Sequence, residues 1–325
     1  MNEFSRVLVT GGAGFIGSHI VDKLVEIQFE VSVVDDLSTG RIGNLESYVG
    51  LGKVRFFEGD IRDGELVKKL VSDVDAVVHL AAAVSVPFSV ENPALTNDVN
   101  VNGTLNLLNA CANAHVKRFV FISSCAVYGE PCYLPINEEH PTQPLSPYAV
   151  SKLAAEAYRD VFGKVYGLPT VILRLFNVYG PRQREDDAYS GVITKFVNHL
   201  IHGKPLVIYG DGEQTRDFVH VEDVVEAVLL ALENEKAVGE TFNVGSGKPT
   251  SINELAKLVS EVFGVGAEVI YEKPRAGDLK HSYACIAKAE KALGFEPVMP
   301  LGLGLRSLIR ESKEKSSECY ALPRA

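Results

Sequence analysis

The first half of the chain alternates short, nearly unbroken apolar runs with longer stretches in which apolar side chains recur every three to four positions. A β-branched run with no polar face suits a strand buried on both sides, and the wider recurrence suits a helix with one buried stripe. The pattern predicts strands at residues 6–10, 31–35, 54–57, 76–80, 118–123 and 170–175. It predicts helices at 15–27, 65–71, about 99–114 and 147–166. Strands and helices taken in turn predict an α/β fold built on a doubly wound parallel sheet. Beyond about residue 177 glycine, proline and polar loops are denser and the elements shorter, at 191–202, 206–209, 221–233, 251–263 and 268–271. This portion reads as a smaller α/β substrate-binding region. The division falls between 1–176 and 177–325, with some later segments returning to the first unit. No flexible linker marks the junction, so the two units are expected to pack tightly and share a cleft. The charged tail, 310–325, is expected to fray at its end.

Composition narrows the function. The chain has 325 residues, 46% of them hydrophobic, enough for a large core. A net charge of −10 speaks against general binding of nucleic acid or of an anionic membrane, while leaving room for a local basic phosphate site. The five cysteines (Cys111, Cys125, Cys132, Cys285, Cys319) are odd in number and form no CxxC or zinc spacing, so they read as reduced thiols of a cytosolic protein. No signal peptide is expected. The longest apolar stretch, around 76–88, contains His79 and Pro87 and is too short to span a bilayer. His79, His199, His202, His220 and His281 make no metal site by spacing, and no metal is expected. His220 reads as structural, and the stripe 224–232 as core.

Two motifs carry chemistry. In "VLVTGGAGFIGSH", Gly11, Gly14 and Gly17 lie between the first strand and the first helix. Glycines allow a tight turn and close approach to a pyrophosphate, whose charge suits a helix N-terminus. Asp35 ends the second strand, 24 residues beyond Gly11, placed for a ribose hydroxyl. A carboxylate there repels a 2′-phosphate, so this Rossmann-type site is expected to take NAD rather than NADP. In "LSPYAVSKLAAEAY", Ser146 caps a helix with Pro147 at its first position. Tyr148 and Lys152 then share a helical face. An ammonium beside the phenol is expected to lower the tyrosine pKa and make it a general base, with Ser124 orienting the hydroxyl to be oxidised.

Together with "SSCAVYG", "LRLFNVYGPRQ", "IYGDGEQTRDFVHVEDV", "FNVGSG" and "RAGD", these motifs resemble the extended short-chain dehydrogenase/reductase superfamily over nearly the whole chain. The resemblance is to its nucleotide-sugar branch, and within that to the UDP-glucose/UDP-galactose 4-epimerase group. It implies bound NAD and a Ser124/Tyr148/Lys152 triad. The cofactor set is Gly11, Gly14, Phe15, Ile16, Gly17, Asp35, Asp36, Ser38, Thr39, Gly40, Asp60, Ile61, Leu80, Ala81, Ala82 and Asn100, with Tyr148 and Lys152. For a UDP-sugar it implies Arg216 and Arg275 on the diphosphate, Asp278 on a ribose hydroxyl and Tyr209 near the uracil. Asn177 is a further substrate contact, and Ser85, Val192, Lys195, Val207, Gln214 and Ser282 complete the set. Related 4,6-dehydratases carry an acid pair after the catalytic hydroxyl, and decarboxylases tend to keep a glutamate. Here Cys125 and Ala126 supply neither, which leaves oxidation at C4 and return of the hydride to the other face. Cys125 itself reads as packing. Ser282 stands where glucose-type epimerases often have tyrosine, so UDP-GlcNAc/UDP-GalNAc is expected to be accepted beside UDP-Glc/UDP-Gal. A UDP-glucuronate 4-epimerase is the alternative, for which residues 85–88 and 186–190 would matter. The resemblance also implies a homodimer formed through helices 99–114 and 147–166.

Overall fold

The structure is a computed structural model and describes residues 4–184, 191–275 and 277–321. The stretch 186–190, the end of the tail and the side chain of Cys319 lie outside the described residues. The first six strands are β1 (Arg6–Thr10), β2 (Glu30–Asp35), β3 (Val54–Glu58), β4 (Ala76–His79), β5 (Arg118–Ser124) and β6 (Thr170–Leu175). The later ones are β7 (Asn177–Tyr179), β8 (Leu206–Tyr209), β9 (Thr215–His220), β10 (Thr241–Val244), β11 (Pro249–Ser251), β12 (Val269–Glu272) and β13 (His281–Ser282). Seven of them form one parallel sheet in the order β3-β2-β1-β4-β5-β6-β10. The order reverses between β1 and β4, which opens a crevice at the carboxyl ends of these strands.

Both faces of the sheet are covered, which explains the unbroken apolar runs. Val7, Val9, Val120 and Ile122 bury one face under helices Phe15–Glu26 and Val221–Glu233. Leu8, Phe119 and Phe121 bury the other under Gly64–Val71, Thr104–Asn113 and Pro147–Tyr166. Arg118 is fully buried and donates to the Ala231 and Asn234 carbonyls at 3.1 and 2.9 Å, finishing the helix Val221–Glu233. A third core, with Phe196, Ile208, Leu255, Leu305 and Ile309, lies under β8 and its neighbours. β8 pairs with β12, and β9 pairs with β7, β11 and β13.

Several elements differ from the pattern reading. β10 joins the main sheet beside β6 from far along the chain. Two short helices, Val86–Glu91 and Pro93–Asn97, stand in a stretch to which the pattern assigned no element. The helix expected at 99–114 begins as a π-helical stretch, Asp98–Gly103, before Thr104–Asn113. Helix Leu301–Ala321 runs through most of the charged tail, because Leu305, Leu308 and Ile309 anchor it in the third core. Among the described residues no helix is long and apolar enough to cross a membrane, and no group of His, Cys, Asp and Glu could hold a metal ion.

Candidate active site

The glycine loop sits at the mouth of the crevice. Gly11 leaves β1 with φ +71°, and its N–H donates to the Val34 carbonyl at 2.8 Å. A Cβ there would lie 2.8 Å from the Ala81 backbone nitrogen. A Cβ on Gly17 would overlap the Gly11 carbonyl, and one on Gly14 would come within 3.1 Å of it. The loop thus needs bare backbone to lie between β1 and the end of β4. Phe15 and Ile16 open the helix behind it, half-buried. Asp35 accepts the Ala13 and Leu37 N–H groups, both at 2.9 Å, one on each carboxylate oxygen. Each oxygen keeps lone-pair capacity for a hydroxyl. Burial pushes its carboxyl above the usual range, and the two N–H bonds pull the other way. A Cβ on Gly40 would come 2.6 Å from Asp35 Oδ1, so the loop after β2 also closes on this acid.

The remaining cofactor candidates divide. Ser38 and Thr39 are exposed, with Asp36 accepting from Ser38 Oγ at 2.6 Å. Leu80, Ala81 and Ala82 line the end of β4, half-buried. Asp60 is held by Arg62, whose guanidinium keeps its carboxyl below the usual range. Ile61 is buried against Gly103. Asn100 spends its amide internally: Nδ2 donates to the Ala83 carbonyl and Ser151 Oγ, and Oδ1 accepts from Ala83 N at 2.7 Å. It ties the β4 loop to the helix Pro147–Tyr166.

That helix starts with the Ser146 hydroxyl accepting the Ala149 N–H at 3.2 Å and with Pro147 in its first turn. Tyr148 is 9% exposed, and its hydroxyl lies beside the Ser124 side chain at the end of β5. Lys152, one turn on, donates from Nζ to the Ile122 carbonyl at 2.9 Å and lies over the Phe121 ring. Ser124, Tyr148 and Lys152 are therefore brought together. The expected lowering of the tyrosine pKa is not what this geometry produces. Burial pushes the phenol up to about 12, against the lowering influence of the neighbouring Ser124 hydroxyl, while Lys152 directs its charge at a carbonyl. Burial likewise draws Lys152 down to about 8. Cys125 packs with Val127, Tyr128, Ile136, Phe176 and Ala284, and desolvation raises its thiol to about 12, which suits packing rather than nucleophilic attack.

A second cluster faces this one. Arg216 on β9 pairs with Asp278 at 2.5 Å, and Ser282 on β13 stands beside it in register. Arg275 stacks on the Tyr209 ring at 3.7 Å, and Gln214 donates to the Tyr209 carbonyl at 2.7 Å. Val207 shares a strand face with Tyr209. Asn177 donates to the Asp217 carbonyl at 2.9 Å. Ser85 caps the helix Val86–Glu91 near the β4 end, and Val192 and Lys195 lie on the helix Val192–Ile201. Ala284, which packs with Cys125, donates its N–H to Asp217 at 3.0 Å, which places the two clusters side by side. Asp217 was not singled out from sequence, yet its fully buried carboxylate accepts from Ser246 N, Ser246 Oγ, Gly247 N and Ala284 N. It pins the "FNVGSG" loop and the strand of Ser282 to the strand of Arg216. Its only signal was its place after Arg216.

The family model described as NAD dependent epimerase/dehydratase family matches residues 7–245. The chain belongs to this family. A putative UDP-glucose 4-epimerase of Methanocaldococcus jannaschii is 45% identical over 312 residues, covering 95% of this chain and 99% of that one. The crystal structure of UDP-glucose 4-epimerase with UDP-glucose from Thermotoga maritima is similar at TM-score 0.91 and 40% identity, covering 96% and 99% of the two chains. A UDP-N-acetylglucosamine 4-epimerase from Methanobrevibacter ruminantium, in complex with UDP-N-acetylmuramic acid, is similar at TM-score 0.92 and 39% identity, covering 97% and 100%. The family's cofactor is NAD, and the residues present fit it: the glycine cradle admits no Cβ, and Asp35 is fixed at the end of β2.

Proposed function

We propose that the chain is a UDP-hexose 4-epimerase that passes through a 4-keto sugar without net redox change. One juxtaposition carries the reading. The Tyr148 phenol set beside the Ser124 hydroxyl, with Lys152 one turn on, is acid–base equipment for an alcohol, and the next two positions, Cys125 and Ala126, hold no acid to expel water. Bound NAD, held by the glycine loop and Asp35, supplies hydride acceptance and return and the positive charge of its oxidised ring. Tyr148 Oη takes the proton of the 4-hydroxyl as C4 is oxidised and gives it back on reduction. Ser124 Oγ holds that oxygen in line. Burial keeps the phenol protonated at neutral pH, so its base form depends on nearby cations, among them Lys152.

On the substrate side, Arg216 and Arg275 hold the diphosphate, Asp278 a ribose hydroxyl, and Tyr209 the uracil, with Asn177 on the sugar. The small Ser282 leaves room at C2. Purified enzyme incubated separately with UDP-Glc, UDP-GlcNAc and UDP-GlcA is expected to invert C4 of the first two at unchanged mass, read by NMR of the anomeric proton. Loss of water or carbon dioxide would overturn the reading of Cys125 and Ala126. Ser282→Tyr is expected to cut kcat/KM for UDP-GlcNAc by about tenfold or more, the cost of overfilling a pocket, and to spare UDP-Glc.

The assignment of 1–176 to the cofactor and 177–325 to the substrate belongs to this proposal, as does a cytosolic homodimer. Val150, Tyr158, Val161 and Val165 are exposed along the outer face of helix Pro147–Tyr166, an apolar stripe suited to a second copy. Sedimentation is expected to give twice the chain mass, and Val161→Asp to give the chain mass.

A further inference from the structure

One turn beyond Lys152 the same helix buries a residue to which the reaction so far gives no task. Glu156 is 4% exposed. It accepts from Ser123 Oγ at 2.5 Å, and from Arg174 Nη2 and Nε at 2.6 and 3.0 Å. Arg174, on β6, also donates to the Tyr128 hydroxyl at 2.9 Å and lies over that ring. Tyr128 donates to Asn243 Oδ1 on β10 at 2.6 Å. Ser123 and Tyr128 lie on either side of Ser124, Cys125 and Ala126, so the network grips that segment from both ends. A buried ion pair adds little stability over apolar side chains of the same size, because desolvation offsets the attraction. Its position, between the strand of Ser124 and the helix of Tyr148, suggests a task in the reaction.

We propose that Glu156 and Arg174 are positioning residues: they clamp the strand end bearing Ser124 to the helix bearing Tyr148 and Lys152, and Glu156 supplies the negative charge that keeps Lys152 an ammonium ion. The task of Lys152 rests on the epimerase reading; the clamp rests on geometry. Lys152 faces the Ile122 carbonyl and Phe121 ring of β5 and, on its own helix, Tyr148 and Glu156. On β4 it faces His79, bonded between Thr10 and Thr104 and drawn down to about 3 by burial, hence neutral. Arg174 on β6 is paired with Glu156. Among the described residues, Glu156 is the carboxylate that raises Lys152 against the burial that lowers it.

The test compares wild type, Glu156→Gln and the double variant Glu156→Gln/Arg174→Met, which leaves no unpaired charge and keeps a neutral filling. NMR of protein carrying [ε-¹³C]lysine, with Lys152 assigned through Lys152→Met, gives its titration midpoint without substrate. In Glu156→Gln the midpoint is expected to fall by about one pH unit or more. The alkaline limb of the kcat profile should move down with it. The value of kcat is expected to fall about tenfold or more with little change in KM, as for a misplaced reaction centre. The double variant is expected to regain thermal stability and keep the lowered midpoint, and it carries the test if the single variant does not fold. A wild-type midpoint in either folded variant, or a wild-type kcat and limb, overturns the proposal. A failed epimerase reading shows separately, as a wild-type enzyme that turns over no sugar while its midpoint is still measurable.

Discussion

Tyr148→Phe is expected to lower kcat by about 10²–10⁴-fold, the span that general acid–base catalysis contributes, with KM and NAD content unchanged. The variant removes one oxygen. The ring, 9% exposed, keeps its packing, and the helix keeps its cap at Ser146. What is lost is the phenol oxygen beside Ser124, the group that the proposed reaction uses to move the hydroxyl proton. Steady-state kinetics and the cofactor released on denaturation check both halves of this expectation. Turnover at the wild-type rate would take the proton away from Tyr148. A loss of NAD together with turnover would mean that the phenol holds the fold rather than the chemistry.

Gly17→Ala is expected to leave a folded protein that no longer retains NAD. The added methyl would overlap the Gly11 carbonyl oxygen, so the helix Phe15–Glu26 must shift off the loop. Overpacking of this kind costs about 1–3 kcal/mol, well within the stability of a domain of about 5–15 kcal/mol. The same energy set against cofactor binding raises Kd by about tenfold or more. Calorimetric titration with NAD, alongside circular dichroism, separates the two. An unchanged Kd would mean that the cradle is not where the pyrophosphate rests.

The two halves of the site were unequally legible. Arg6–Thr10, Pro147–Tyr166 and Thr170–Leu175 were readable to the residue, because Gly, Pro or a cap stands at their ends and the apolar period is clear between them. Ser124, Tyr148 and Lys152 followed from a strand end and an i, i+4 spacing, and the structure joins them. β10 was not readable: Phe242 and Val244 give too brief an alternation, and only β6 makes them a strand. The π-helical stretch Asp98–Gly103 carries the same apolar recurrence as an α-helix, so pattern could not separate the two. Glu156 was not singled out from sequence. Its burial depends on Arg174, brought to it by the packing of helix on β6, which no local pattern records.

The late arrival of β10 bears on how the chain is made. The strand that completes the main sheet ends at Val244, and one of its covering helices is Val221–Glu233. A chain emerging from the ribosome therefore displays β6 as a bare edge, with Val171 and Leu173 uncovered, until roughly the last quarter remains to be translated. Nascent chains are most open to mispairing in that interval, and a truncation at residue 176 would make the interval permanent.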